Sequence, residues 1–456
     1  MKPLVPFSNL SNSLFISLWL VLAGSLAGAG PAGGQDSDSP RFPAHPELVD
    51  YLAWAEMNNP AVARAEGRAD ALRGTAQAAG ALPDLKFGWG EMIVPVETRV
   101  GPQQRVFSLS QSIPWFGTLG LKEAEVATRA EAAQEGARVQ LLKVRRDIRA
   151  AWYELAYLQG AILILNGNLD LAMQTETAAR SAYEAGSGSF ADVLTAEIDR
   201  EKLQTRLAGL ADRQRPAAAN LNLASGLKAG RAVPDIPSGS MIAAGVTLPA
   251  EETLWALLQE HNPELTALQL EMDSRRQGVD LAGKAGYPGL TFGVDYIMTG
   301  DARVDGVPDS GQDPVIARVG VSIPLWGGKA GGQKEASAGW LRSASADLSD
   351  ARLRLNTRFE NALFAWRESG RNTELYGQVL LDSGRQALDV TAARYRSGQA
   401  SYVDMVMARQ TLLGLELANL RAQTDRALAL NELTTLLGIT PEELLARSRK
   451  RTDKES

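Results

Sequence analysis

The sequence predicts a mainly α-helical chain with a small β part, and three observations support this fold class. The segment at 183–192 recurs at 395–404 with the same order of Tyr, Gly, Ser, aromatic residue and Asp. A long stretch without proline precedes each segment, and a short stretch of alternating apolar residues precedes that, ending in Ser-Ile-Pro at 112–114 and 322–324. Solenoid repeats have periods of roughly 20 to 50 residues, so two matched halves roughly two hundred residues apart indicate one large duplicated unit.

The N-terminus has the parts of a secretory signal peptide. The chain begins Met1-Lys2, continues with an apolar stretch at 14–26, and then has small residues up to Ala29. A basic start, a short apolar core and a small-residue cleavage site are typical of such a peptide. The alternative is a membrane anchor, but the apolar stretch is shorter than the roughly 20 residues of a spanning helix. We predict that residues 1–29 are a signal peptide.

The composition argues against several functions. The chain has 456 residues, a formal net charge of −6 and no cysteine. An exported chain without cysteine is not held by disulfides, and no basic stripe of the kind that binds nucleic acid is present. The two histidines, His45 and His261, lack partners at metal-ligand spacing, and the common catalytic motifs do not occur. We predict no enzyme activity, no metal and no cofactor.

The first half begins with helix and continues with strand. The Ala-rich stretch at 47–81 favours helix, and Pro60 within it fits the first turn of a second short helix. Apolar residues alternate from Leu85 onward, a Pro- and Gly-containing turn is predicted at 94–103, and a second strand is predicted at 105–113.

The second half repeats this order. Strands are predicted at 290–298 and 315–323, where apolar and small or polar residues alternate on either side of a turn-rich loop. Each is about as long as the 9 to 11 residues of a strand that crosses a bilayer. A hairpin half-buried on a soluble core shows the same alternation, so the residues alone leave both interpretations open.

Each strand pair is followed by a long helical hairpin. The predicted outgoing segments are 119–185 and 331–397, and the return segments are 190–223 and 402–437. An unbroken helix of the outgoing length would be roughly 100 Å long. Apolar residues recur at spacings of three, four and seven within 141–158, so these helices bury one face against neighbours.

The turns of the two hairpins carry matched candidate residues. At each turn a glycine is predicted to end one helix in the left-handed conformation. A serine then begins the next helix, and an aspartate in its first turn favours the helix dipole. These residues are Gly186, Ser189 and Asp192 in the first copy, and Gly398, Ser401 and Asp404 in the second.

Changes in composition place the domain boundaries. A stretch rich in Gly, Pro and small residues at 228–250 is predicted to link a first repeat, 46–227, to a second repeat, 251–440. The charged end at 441–456 is predicted to be a solvated tail.

Together, the signal peptide, strand hairpins, proline-aromatic-glycine corners and Y-x-x-G-x-x-x-[FY]-x-D turns resemble the TolC-like outer membrane efflux protein family. The resemblance covers about Pro46 to Gly438. The run at 95–121 is most similar to the heavy-metal branch of CusC/CzcC-like channels, although this chain lacks the cysteine of its lipid-anchored members. The resemblance implies a homotrimer with a trimeric α-barrel of long hairpins. It also implies four strands per chain in a twelve-stranded transmembrane β-barrel.

The resemblance also implies roles for residues. Asp404 matches a position that forms an acidic ring at the periplasmic entrance of TolC-like channels, and Asp192 is its partner in the first copy; a simple helix-cap role is the alternative for both. Met407 stands where TolC has a second acidic residue, which argues against a double ring. The side chains implied to face lipid are Leu290, Phe292, Val294, Tyr296, Val315, Ala317, Val319 and Val321, with Leu85, Phe87 and Trp89 in the first hairpin.

The function implied is an exit duct in the outer membrane, with a helical tunnel in the periplasm. The duct would receive its substrate from a periplasmic adaptor and an inner-membrane pump, which the resemblance implies to be of the RND type. The turns at Gly186, Ser189, Gly398 and Ser401 would contact the adaptor. A type I protein-secretion duct is an alternative within transport. A periplasmic coiled-coil scaffold or adaptor is an alternative from another class, although it would not explain the matched strands. The sequence does not identify the exported substrate.

Overall fold

A computed structural model describes residues 42–237 and 246–444. The predicted signal peptide lies outside the described residues, as do residues 238–245 of the predicted linker and residues 445–456 of the predicted tail. The compact unit considered below begins at His45.

The first half folds into two short helices, two strands and a long helical hairpin, in the predicted order. The proline-free stretch predicted from residue 119 forms one unbroken helix of 67 residues, which at 1.5 Å per residue is about 100 Å long. The elements are α1 (Leu48–Asn58), α2 (Pro60–Ala79), β1 (Lys86–Thr98), β2 (Gly101–Ile113), α3 (Thr118–Glu184) and α4 (Phe190–Ala224).

The second half repeats the order with one difference. A π-helical turn at Leu375–Leu380 divides the long helix that the sequence predicts as one segment. Such a turn accommodates an additional residue within a helix, so the two copies are not the same along their outgoing helices. The elements are α5 (Glu251–His261), α6 (Pro263–Lys284), β3 (Gly289–Thr299), β4 (Val315–Ser322), α7 (Gly327–Glu374), α8 (Leu381–Arg396) and α9 (Tyr402–Leu436).

An Asn-Pro pair joins the two short helices in each half and fixes them to the end of the return helix. Asn59 Oδ1 accepts a hydrogen bond from the Ala61 N–H at 2.8 Å, and its Nδ2 donates to the Ala224 carbonyl at 2.7 Å. Asn262 Nδ2 donates in the same way to the Leu436 carbonyl at 2.8 Å. The proline supplies the first residue of the new helix, where its missing N–H is not needed.

The four strands form one antiparallel sheet in the order β1-β2-β3-β4. In β3 and β4, Leu290 pairs with Val321, Phe292 with Val319, and Val294 with Ala317. Directly paired residues of an antiparallel sheet lie on the same face, so the predicted separation into an apolar and a polar face is confirmed for this hairpin.

The apolar face continues across all four strands. Phe87 pairs with Leu109, which pairs with Val294, and Trp89 pairs with Phe107. Phe87 is 69% exposed and Val319 is also 69% exposed. The described part of the chain therefore places no layer over this face, and the described residues do not form the half-buried hairpin of the second interpretation.

The turn of the first strand hairpin is shorter than the sequence predicts. The sequence predicts a turn over residues 94–103, but β1 and β2 extend through most of this range and pair as far as Thr98 and Gly101. Pro95 lies within a register irregularity between Glu91 and Val96. Proline is tolerated at such an irregularity and on an edge strand, because its missing N–H breaks no required ladder bond there.

The helices form a layer that continues from the sheet. α2, α3, α6 and α7 lie side by side in that order, and α4 and α9 pack against α3 and α7. The contact between α3 and α6 joins the two halves into one wall. Among the helices of the described residues, none combines the length and the apolar character needed to cross a membrane.

Candidate functional site

The two hairpin turns lie at the far end of the long helices from the sheet. Gly186 has φ 66° and Gly398 has φ 73°, so both glycines adopt the predicted left-handed conformation. Only glycine adopts this conformation without steric cost. Each turn therefore reverses the chain within a few residues and brings the next helix back along the first.

The two copies cap the returning helix differently. In the second copy the Asp404 N–H donates to Ser401 Oγ at 3.1 Å, and Asp404 Oδ2 accepts from the Ser401 N–H at 2.9 Å, which is a complete capping box. In the first copy Ser189 Oγ accepts only from the Ala191 N–H, at 3.1 Å. The Asp192 N–H donates to the Ser189 carbonyl at 3.1 Å, but its carboxylate does not complete a capping box.

The capping box also affects the Asp404 carboxyl. Hydrogen bonds from the Ser401 hydroxyl and the Ser401 N–H lower the pKa of Asp404 below its usual range. The side chain is exposed and ionised at neutral pH. Asp404 forms the cap while its side chain stays exposed to water, so its carboxylate still contributes a negative charge to the surface.

The caps provide a prediction in which the first copy is the control. Ser401→Ala removes one acceptor and one donor of a reciprocal cap and is expected to destabilise the start of α9 by about 1 kcal/mol. Ser189→Ala removes a single bond and should have a smaller effect. Hydrogen exchange of peptides that cover the two turns measures both, and equal protection in the two variants would contradict the assignment.

The same box predicts a pH dependence. Because the folded-state pKa of Asp404 is lowered, its stabilisation of the turn is fully present above the unfolded-state pKa and is lost as the pH falls through the folded-state value. Protection at the second turn should therefore decrease on acidification in the wild type. In Asp404→Asn it should already be low at neutral pH and should change less.

Aromatic residues at matched positions of the two turns have opposite surroundings. Tyr402 is 1% exposed and lies in a cluster with Ala179, Val193 and Ala196 of the first hairpin. Phe190, its counterpart, is 54% exposed. The Tyr402 side chain of the second copy thus packs against the first hairpin near its turn, whereas the Phe190 ring of the first copy is exposed on the surface.

Asp192 lies on the side of the first turn that faces the second hairpin. Burial raises the pKa of Tyr395, and the charge of Asp192 raises it further. Burial also raises the pKa of Tyr402, with a smaller contribution from Asp192. The structure therefore places Asp192 near the second copy's tyrosines, whereas Asp404 interacts within its own turn.

A buried ion pair lies beyond the turns and joins three helices. Arg409 of α9 pairs with Asp199 of α4, and the two side chains are only 8% and 5% exposed. Gln410 Nε2 donates to Asp199 Oδ1 at 2.8 Å, and Arg409 Nη1 donates to the Asn168 carbonyl of α3 at 3.1 Å. Burial lowers the pKa of the Arg409 guanidinium, and the Asp199 carboxylate provides the opposite charge beside it.

The sequence analysis does not identify this pair. Asp199 and Arg409 lie within helices that carry many charged residues, and no short motif surrounds either residue. The one available signal is that both occur on the side of their helix that also carries buried apolar residues, such as Val193 and Val406.

Residues 42–237 and 246–444 contain no group of three or more His, Asp or Glu that could hold a metal ion. Met405 is half-buried beside the Tyr402 cluster, whereas Met407 is 61% exposed. The two methionines next to Asp404 therefore have different surroundings.

The chain thus consists of two matched copies, each with a strand pair that has one exposed apolar face and a long helical hairpin. Residues 254–439 match the family model described as outer membrane efflux protein. This match covers the second repeat and confirms the resemblance that the sequence indicates. No curated protein sequence matches the chain.

Solved structures of outer membrane channels share this fold. VceC from Vibrio cholerae, an outer membrane protein, is 19% identical and superposes with a TM-score of 0.70 over 86% of this chain and 96% of its own. The outer membrane channel MtrE from Neisseria gonorrhoeae is 18% identical, with a TM-score of 0.72 over 86% and 89% of the two chains. CusC is 14% identical, with a TM-score of 0.72 over 90% and 96%. The TM-scores to the three structures are nearly equal, so the structural comparison does not distinguish the predicted CusC/CzcC-like branch from the other channels.

Proposed function

We propose that the chain is an outer membrane channel and serves as the exit duct of a tripartite efflux system. The observation that carries the proposal is the sheet: its apolar face is exposed over four strands, and among the described residues β1 and β4 each pair on one side only. An apolar face of this kind is stable against lipid. Free strand edges within a membrane must be paired.

Three copies satisfy both requirements. If β4 of one chain pairs with β1 of the next, three chains give twelve strands in a closed barrel without a free edge. The helices that follow the strands would then form a continuous tunnel on the periplasmic side. The polar face of the sheet, which carries Thr291, Gly293 and Arg318, would line the passage.

The hairpin turns would form the periplasmic entrance. Gly186, Ser189, Gly398 and Ser401 shape these turns, and exposed Tyr183 and Phe190 next to them offer an apolar surface to a periplasmic adaptor. The adaptor would connect the duct to an inner-membrane pump, for which we propose the RND type. The pump would supply the energy and select the substrate.

Reconstitution tests the proposal. The purified chain should form a heat-modifiable oligomer and stepwise, cation-preferring currents in planar bilayers. Asp404→Asn should reduce the cation preference on the order of a few-fold, because a ring of carboxylates concentrates cations. Asp192→Asn should have a smaller effect, since Asp192 lies toward Tyr395 and Tyr402. A folded oligomer that gives no currents would contradict the proposal.

A further inference from the structure

A cleft lies where the sheet meets the helices. α3 begins at Thr118 shortly after β2, α6 ends at Lys284 shortly before β3, and α7 begins at Gly327 shortly after β4. These three helix ends enclose a space of about 530 Å³. The hairpin turns and the ion pair described above are at the other end of the long helices.

Three lysines line the cleft. Lysine is uncommon in this chain, yet Lys122, Lys284 and Lys329, from three different helices, come together here. In the part of the chain that the structure describes, none of the ion pairs involves these three residues. The fold therefore concentrates positive charge in one place without supplying a carboxylate to each ammonium group.

The other charged residues of the cleft are already paired. Glu125 is the one acidic residue among the described residues that line it, and its carboxylate pairs with Arg129 at 2.8 Å. Arg275 pairs with Glu271 at 2.7 Å and lies 5.7 Å from the centre of the Trp340 ring. The charge of the three lysines is thus the net charge that a ligand would meet.

Aromatic rings border the same region. Trp340 is 61% exposed and Tyr287 is 49% exposed. Lys284 Nζ lies 5.3 Å from the centre of the Tyr287 ring. The Trp115 ring stacks on the Tyr287 ring, with 5.4 Å between the two ring centres. Exposed Trp and Tyr are typical of the level where a membrane protein meets the lipid headgroups.

We propose that this cleft binds the phosphate group of an anionic phospholipid in the membrane leaflet nearest the helices. The inference rests on the proposed function, because a membrane-spanning sheet would put its junction with the helices at headgroup level. Lysine ammonium groups bind phosphate oxygens by charge-assisted hydrogen bonds, and basic pockets at this level bind anionic headgroups. The Thr118 hydroxyl, which has no hydrogen-bond partner among the described residues, lies in the wall of the cleft.

Lipid retention by the full-length oligomer in detergent tests the proposal. Phosphatidylglycerol and phosphatidylcholine are added in equal amounts, and bound lipid is counted by native mass spectrometry. The wild type should retain phosphatidylglycerol at least about tenfold better, as expected for several lysines at an anionic headgroup. The variant K122Q/K284Q/K329Q should lose most of this preference. The control K143Q/K202Q/K228Q removes the same charge from exposed positions outside the cleft and should keep it.

Two competition experiments distinguish a lipid phosphate from a water-soluble phosphate as the ligand. Inorganic phosphate and water-soluble glycerophosphoglycerol should compete weakly, because neither has acyl chains to hold it at the cleft. Competition by either as strong as that of the lipid would overturn the proposal, and so would equal retention by the two triple variants. Planar-bilayer currents from the same preparations separate this result from the proposed function: a conducting wild type without lipid preference refutes only the cleft.

Discussion

Arg409→Ala is expected to loosen the second hairpin from the first and to lower the free energy of local unfolding by about 3–5 kcal/mol, because it leaves a buried carboxylate without its partner. Asp199 is almost fully buried and would keep only the bond from Gln410. Amide exchange in the segments around Asn168 and Arg409 should then be at least about a hundredfold faster.

An exposed ion pair between the same two hairpins is the matched control. Arg421 of α9 pairs with Glu154 of α3 at 2.9 Å, and both side chains are more than 40% exposed. Arg421→Ala should cost about 1 kcal/mol or less, since water screens such a pair. The double variant Asp199→Leu/Arg409→Met should recover most of the stability lost in Arg409→Ala. Similar exchange in Arg409→Ala and Arg421→Ala would show that the buried pair does not join the hairpins.

Val294→Lys is expected to prevent stable insertion of the sheet. The residue lies on the apolar face of β3, between Leu109 and Ala317, and a lysine near the middle of a lipid-facing strand costs about 2–4 kcal/mol. The measurement is the fraction of chain recovered from outer membranes as heat-modifiable oligomer, which should fall steeply.

Thr291→Lys tests the other face of the same strand. Thr291 pairs with Gly320 on the polar face, where a charge would meet water in the passage, so its oligomer should form at nearly the wild-type level. If both variants assembled equally well, the apolar face would not be the lipid-facing one.

The sequence predicts the fold closely where a pattern repeats over many residues. Strict alternation in β3 and β4 defines both faces, because residues of one parity share a face whatever the register. The first strand hairpin is less well predicted: Pro95 suggests a turn, but an edge strand with a register irregularity accommodates it. The π-helical turn has no counterpart in the first copy and no sequence signal of its own.

The candidate site is predicted in its local features and not in its long-range contacts. The glycine and serine positions follow from turn and cap chemistry, which depends on neighbours in the chain. The pairing of Asp199 with Arg409 and the position of Asp192 beside Tyr395 depend on how two hairpins lie against each other. The assignment of Asp404 and Asp192 to a pore entrance stays a prediction.

The burial of Tyr402 against the first hairpin has an evolutionary consequence. After a unit is duplicated in one gene, its copies begin as equivalents, and either could be replaced by the other. Here the two copies have diverged: Tyr402 of the second copy packs into the first hairpin, whereas Phe190 at the matching position of the first copy is exposed. A chain built from two first copies would lack the buried tyrosine, so the two copies can no longer replace each other.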